Sequence, residues 1–223
     1  MRSISFITIL FAALVTTSCG TLNSRMPEPI GGGVWRPLFD AQNTAGWKMV
    51  GPGELKMENG ELVTHGGMGL FVYTAEKFGN CQIRVVYKLT ATNDNSGVFI
   101  RMPAAPETPW DAVNFGYEVQ IDNNGSDYHR TGCLYSFTKA KTRVSSDVGE
   151  WATMIITLDG KRTRVEVNGQ LVTDYKEGQP VRERMIWYEG ERRPRPESGY
   201  IGLQNHGHGA EVHFKEVSVR PLR

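Results

Sequence analysis

The chain has no surplus of charge of either sign. Its 223 residues carry 25 Lys and Arg against 24 Asp and Glu, a formal net charge of +1. Nucleic-acid binding calls for basic groups gathered on one face, so the balance does not point to nucleic acid as a partner. Cysteine is scarce as well: Cys19, Cys81 and Cys133 are too few for a disulfide scaffold. No segment of 11 or more residues carries a convincing helical apolar stripe. No apolar run reaches the roughly 20 residues that a membrane-spanning helix needs. There is no G-x-S-x-G nucleophile motif and no P-loop. Gly31-Gly32-Gly33 lacks the strand–turn–helix setting of a dinucleotide site.

What is present begins with a targeting pattern. Arg2 precedes a mostly apolar stretch from Ile4 to Val15, followed by Thr16-Thr17-Ser18 and Cys19. Residues 1–18 have the layout of a secretory signal peptide. A cysteine directly after small residues resembles a bacterial lipoprotein signal, in which the thiol is lipidated and becomes the new N-terminus. An ordinary signal peptide cut nearby is the alternative. The expectation is an exported protein facing the periplasm or cell surface, held to the membrane only through Cys19. Residues 19–34, interrupted by Pro27, Pro29 and the three glycines, read as a tether. Residues 35–223 read as one folded domain.

That domain reads as a series of short strands. The 25 glycines and 11 prolines supply turns about every ten residues. Gln82 to Leu89 alternates cleanly, and Tyr117, Val119 and Ile121 form one face of another strand. Val167-Asn168-Gly169-Gln170 predicts a hairpin, because both turn residues accept positive φ. In the last strand Val212 and Phe214 are even but Val217 and Val219 odd, which predicts a bulge near Lys215-Glu216. Terminal strand patterns allow the first and last strands to pair. The pattern predicts an all-β sandwich. Residues 176–198, with five arginines and three prolines, read as a long loop, either a solvated excursion or the edge of a site. Cys81 and Cys133 read as buried small hydrophobes, with a disulfide between them left open.

Glu118, Gln120 and Asp122 recur every second residue and project from one side of their strand. Arg101 alternates with Val98 and Ile100, and Arg84 and Lys88 alternate with apolar neighbours in the same way. If these strands adjoin, one sheet face gathers carboxylates, amides and guanidinium. Such a face suits a hydroxyl-rich ligand, which offers both donors and acceptors. Tyr135, Trp110 and Trp151 are aromatics available to stack on sugar rings. The plainer alternative is the wet face of any antiparallel sheet. His206 and His208 lie two apart in a glycine-flanked loop, without the further ligands that a zinc site needs.

An ordered set of short motifs carries a family resemblance. It comprises Leu38-Phe39-Asp40, Gly46-Trp47, Asn59-Gly60-Glu61-Leu62, Phe78-Gly79-Asn80 and Asn95-Ser96-Gly97-Val98-Phe99-Ile100-Arg101. Tyr117 to Asn123, Gly132-Cys133-Leu134-Tyr135, Gly149-Glu150-Trp151, Val167-Asn168-Gly169 and Gly202 to Gly207 complete it. In order and spacing the chain resembles the 3-keto-disaccharide hydrolase domain family over about residues 35–221. The resemblance implies a concanavalin-like jelly-roll β-sandwich of two antiparallel sheets, with the ligand on the concave one. Cys133 and Ala152 stand where the family commonly has Ala and Asn. The insertion between Pro103 and Asn114 and the loop 176–198 are positioned to reshape a pocket.

The resemblance further implies cleavage of glycosides already oxidised at C3. Such a site needs a base for the acidic C2 proton, a partner for the enolate oxygen and a proton donor for the leaving group. The candidates are Glu118 or His206 as base and Arg101 as enolate partner. Asn95, Gln120, Asp122 and Gln204 would hold hydroxyls, with Tyr135 and Trp151 stacking on rings. A divalent metal in place of Arg101 or beside it is left open. The expected partners are a carbohydrate substrate and a separate oxidoreductase that makes the 3-keto sugar. A non-catalytic carbohydrate-binding lipoprotein is the alternative from another class, and a structural cell-surface domain is a third.

Overall fold

The computed structural model describes residues 32–40 and 42–222. The expected signal segment, Cys19 and most of the tether lie outside them. The period-two pattern becomes thirteen strands and one short helix among the described residues. In chain order these are β1 (Arg36–Pro37), β2 (Trp47–Val50), β3 (Glu54–Glu58), β4 (Glu61–His65), β5 (Gly69–Phe78), β6 (Cys81–Leu89) and β7 (Asn95–Met102). Then come α1 (Pro109–Phe115), β8 (Tyr117–Asp122), β9 (Trp151–Asp159), β10 (Arg162–Val167), β11 (Gln170–Lys176), β12 (Gly199–Asn205) and β13 (Val212–Pro221).

They form two antiparallel sheets in a jelly-roll sandwich. One sheet runs β2-β5-β12-β7-β8. The other runs β11-β10-β9-β6-β13-β4-β3, with β1 also paired to β13. The first and last strands therefore do pair, Arg36 opposite Val219. The β10–β11 hairpin turns through Asn168 at φ 48° and Gly169 at φ 76°, left-handed values that Asn and Gly tolerate. The register of β13 against β6 slips between Phe214 and Glu216. That bulge keeps Val212, Phe214, Val217 and Val219 in one core despite their change of parity.

The two inner faces meet in a continuous apolar core. Val98, Ile100, Tyr117, Val119 and Ile121 pack from one sheet, and Ile83, Val85, Tyr87, Met154 and Ile156 from the other. Each fully buried large apolar side chain contributes roughly 1.5–3 kcal/mol. Cys81 and Cys133 are both buried free thiols, which settles the open disulfide. Burial pushes the Cys81 thiol up to about 12 and the Cys133 thiol up to about 11.

The helix lies in the insertion that precedes β8. Its seven residues are too few to show a periodic stripe, but its start is marked locally. Pro109 opens it, and the Asp111 carboxylate accepts hydrogen bonds from the Thr108 amide at 2.8 Å and the Glu107 amide at 3.0 Å.

Candidate active site

Strand β8 sets the floor of the site. Tyr117, Val119 and Ile121 point into the core, so Glu118, Gln120 and Asp122 point away from it, onto the outer face of the five-stranded sheet. On β7 the same alternation sends Val98 and Ile100 inward and Asn95 and Phe99 outward. Gln204 and His206 join them from the end of β12 and the residue beyond it. A cavity of about 530 Å³ opens over this face, within the range of small-molecule sites.

The segment after β8 folds back along its free edge. The Tyr135 amide donates to the Glu118 carbonyl at 2.8 Å, and the Gly132 amide to the Gln120 carbonyl at 2.9 Å. The Thr131 amide donates to the Asp122 carbonyl at 3.0 Å. These bonds satisfy an otherwise open strand edge and hold Tyr135 beside the cavity.

The polar groups on the floor are linked. The Gln120 amide donates to Asn95 Oδ1 at 3.1 Å, and the Asn95 amide donates to Asp122 at 3.5 Å. That chain leaves Gln120 Oε1 without a protein partner, and Gln204 Oε1 and Glu118 Oε1 also lack one. Three buried acceptors in one cavity need donors, and each costs about 1–3 kcal/mol if left unmet. Ligand hydroxyls supply such donors.

Glu118 is the most perturbed acid of the site. Burial drives its carboxyl up to about 8, against a weaker opposing pull from the Gln204 amide. Among the described residues no Lys or Arg lines the cavity. Burial also lowers the His206 imidazole below its ordinary range, His208 adds to this, and Asp122 opposes it. His206 is thus neutral at pH 7. Burial and the nearby Glu118 carboxyl raise the Tyr135 hydroxyl, which keeps it a proton-bearing donor.

The structure therefore brings together eight of the residues singled out from sequence: Glu118, Gln120, Asp122, Asn95, Gln204, His206, Tyr135 and Trp110. Arg101 is not among them. It sits at φ 57°, where the pairing of β12 with β7 slips. The slip breaks the alternation, so Met102 takes the outward position and Arg101 turns to the sandwich edge. There its guanidinium donates to Thr163 Oγ1 at 3.2 Å and to the carbonyls of Pro196, Gly160 and Arg162 at 2.8–3.0 Å. Arg101 is a structural clamp outside the cavity lining. Trp151 also lies elsewhere, on β9 of the other sheet, beneath the ammonium groups of Lys88 and Lys215. Arg84 and Lys88 share that second sheet, where Arg84 pairs with Glu216 at 2.5 Å. Among the described residues no group of three or more His, Cys, Asp or Glu side chains is arranged to hold a metal ion.

Sequence reasoning missed the residues that wall the cavity. Ile186, Trp187 and Tyr188 reach it from the long loop, and His129 and Ser126 from the segment after β8. The loop is anchored through Glu189, whose carboxylate is fully buried. The Met185 amide donates to it at 2.8 Å and Arg192 at 3.1 Å, and His129 Nε2 lies 3.3 Å away. Burial alone would raise the Glu189 carboxyl, but these partners hold it below the usual carboxylate range. The available signal was Met185-Ile186-Trp187-Tyr188, an apolar run inside an otherwise polar loop.

A family model described as the 3-keto-alpha-glucoside-1,2-lyase-like domain matches residues 34–220. The chain belongs to this family. Membership in the 3-keto-alpha-glucoside-1,2-lyase-like family supports a carbohydrate-related hydrolase function. Among solved structures, a Parabacteroides distasonis ATCC 8503 protein provisionally assigned as a glycosyl hydrolase superposes with TM-score 0.68 at 23% identity, covering 85% of this chain and 94% of that one. The carbohydrate-binding module CBM66 from Bacillus subtilis superposes with TM-score 0.53 at 16% identity, covering 78% and 95%. At these identities the likeness is one of fold. No curated protein matches the chain.

Proposed function

We propose that the cavity cleaves 3-keto-glycosides by β-elimination. The observation that carries this is Glu118, a carboxyl whose Oε1 is buried without a partner and which has no Lys or Arg beside it among the described residues of the cavity lining. A glycosidase working through an oxocarbenium-like centre uses two flanking carboxyl groups in distinct roles. Here Asp122 is engaged by Asn95, and Glu118 is tuned toward neutral pH. A single base with a pKa near the working pH suits abstraction of an acidic C–H.

In this reading the ketone at C3 acidifies the C2 proton, and ionised Glu118 removes it. The C–H electron pair becomes the enolate, with its negative charge on the C3 oxygen. The enolate collapses to a C1–C2 double bond, and the bond from C1 to its substituent breaks. The leaving oxygen takes up the proton now held by Glu118, which returns to its ionised form. Water then adds across the double bond, its oxygen to C1 and a proton to C2, to complete a net hydrolysis. With Arg101 at the sandwich edge, enolate stabilisation falls to neutral donors: the Tyr135 hydroxyl, the Gln204 amide and the neutral His206 ring. Fixed neutral donors in a water-poor site are each worth roughly 10²–10³ in rate. Asn95, Gln120 and Asp122 hold the remaining hydroxyls.

The test is incubation with a 3-keto-disaccharide and with its unoxidised parent. Release of sugar from the keto form alone supports the reading, and Glu118→Gln then abolishes it. Tight binding of either sugar without release would instead show a binding module. Full activity in both Glu118→Gln and His206→Ala would remove the assignment of the base. Because the C2 proton is acidic only once C3 is a ketone, the reading calls for a separate oxidoreductase to supply the oxidised sugar. Export and lipidation at Cys19 remain part of the same proposal. Mass spectrometry of the mature N-terminus checks them.

A further inference from the structure

The cavity is divided by polarity. Its floor carries amide, carboxyl and imidazole groups beside Leu70 and Phe99, and at its mouth the side formed by α1 and the long loop is aromatic and aliphatic. Trp110 on α1 and Trp187 on the long loop face each other with ring centroids 5.0 Å apart and planes tilted by 48°. Tyr188 packs edge-on against Trp187 at 5.6 Å. Ile186 and Val113 extend the same wall. Trp187 is 70% exposed and Trp110 42% exposed, so the wall is uncovered in the free protein.

Exposed large apolar groups gathered at one spot mark a surface that something covers. Two observations identify what. The wall is continuous with the cavity that holds Glu118, so its occupant is attached to the sugar on the floor. Its bearing elements are also held in place. Asp111 caps α1, and the buried Glu189 ties down the loop through Arg192 and Met185. A second sugar ring can stack on an aromatic face such as Trp110 but also wants polar partners along its rim, and Trp187, Ile186 and Val113 offer few.

We propose that the mouth is an aglycone subsite for an apolar or aromatic group, so that the preferred substrate is a 3-keto-glucoside with a hydrophobic aglycone. This rests on the cleavage reading above and adds the substrate class. Trp187 and Trp110 are specificity residues, apart from the proton chemistry at Glu118.

The test compares 2-phenylethyl and methyl 3-keto-glucosides of one anomeric configuration, whose leaving alcohols have similar acidity. Burying a phenyl group against this wall predicts a kcat/KM at least about tenfold higher for the phenylethyl substrate, carried by KM. Trp187→Ala should erase that preference, lowering kcat/KM for the phenylethyl substrate at least about tenfold more than for the methyl substrate. Equal rates on the two substrates, or a Trp187→Ala loss that is the same for both, would overturn the proposal. If neither keto sugar is cleaved, the cleavage reading fails, and calorimetry with the unoxidised parents decides the subsite. Tighter, Trp187-dependent binding of the phenylethyl glucoside upholds it, and equal binding rejects it. Concentration-dependent dimerisation abolished by Trp187→Ala would show that a second copy covers the wall and would also reject it.

Discussion

A Cβ placed on Gly97 would lie 2.3 Å from Glu118 Oε1. Gly97 is on β7, directly opposite Gln120 on β8, so its bare backbone makes the space in which the Glu118 carboxyl sits. The backbone at Gly97 does not need positive φ. Gly97→Ala should therefore fold while forcing the carboxyl aside. The expected outcome is a fall of about 10²-fold or more in kcat/KM on a 3-keto-glucoside, from a misplaced base, with Tm lowered by no more than a few degrees. Thermal melts beside kinetics check this.

The pH dependence follows from burial of Glu118. Its carboxyl rises from 4.5 to about 8 on folding. The contribution of the buried neutral acid is fully present below about pH 4.5 and is lost as pH rises through 8. At about 1.4 kcal/mol per unit the loss amounts to a few kcal/mol. Glu118→Gln should thus melt higher than wild type near pH 9 and no higher near pH 4. Activity runs the other way. Since the base must be ionised, kcat/KM climbs toward a plateau above about pH 8. Melting curves and rates across this range give both signs.

Arg101 tests the separation of clamp from chemistry. Removing its guanidinium strips partners from the Thr163 hydroxyl and from three carbonyls at the sandwich edge. Arg101→Ala should cost on the order of 3 kcal/mol, read as a lowered Tm. Assayed where it remains folded, it should keep kcat/KM within about threefold. A normal Tm with lost activity would return Arg101 to the reaction.

Legibility in the sequence followed how local each determinant is. Side-chain alternation is a property of one strand, so Glu118, Gln120 and Asp122 could be placed on one face without knowing any partner strand. The slip in β13 and the Asn168-Gly169 turn were equally local, one a parity change and the other a φ preference. Arg101 misled because a bulge opposite β12 reverses its direction, and only the pairing of two distant strands produces that bulge. Trp151 misled because alternation does not say which sheet a strand joins. Arg84 and Lys88 could join the polar row only if β6 adjoined β8, but β6 lies between β9 and β13. The aromatic wall was hidden for a third reason. A loop has no period, and Trp187 is placed by the buried Glu189 contacts rather than by any pattern around it.

The central claim is that Glu118 removes a proton from C2 of a 3-keto sugar. It is tested most directly with a 3-keto-glucoside carrying deuterium at C2. The account predicts that aglycone release slows by a primary isotope effect, that the unoxidised parent is inert, and that Glu118→Gln abolishes release. Release at the same rate from the protonated and deuterated substrates, persisting in Glu118→Gln, would contradict it.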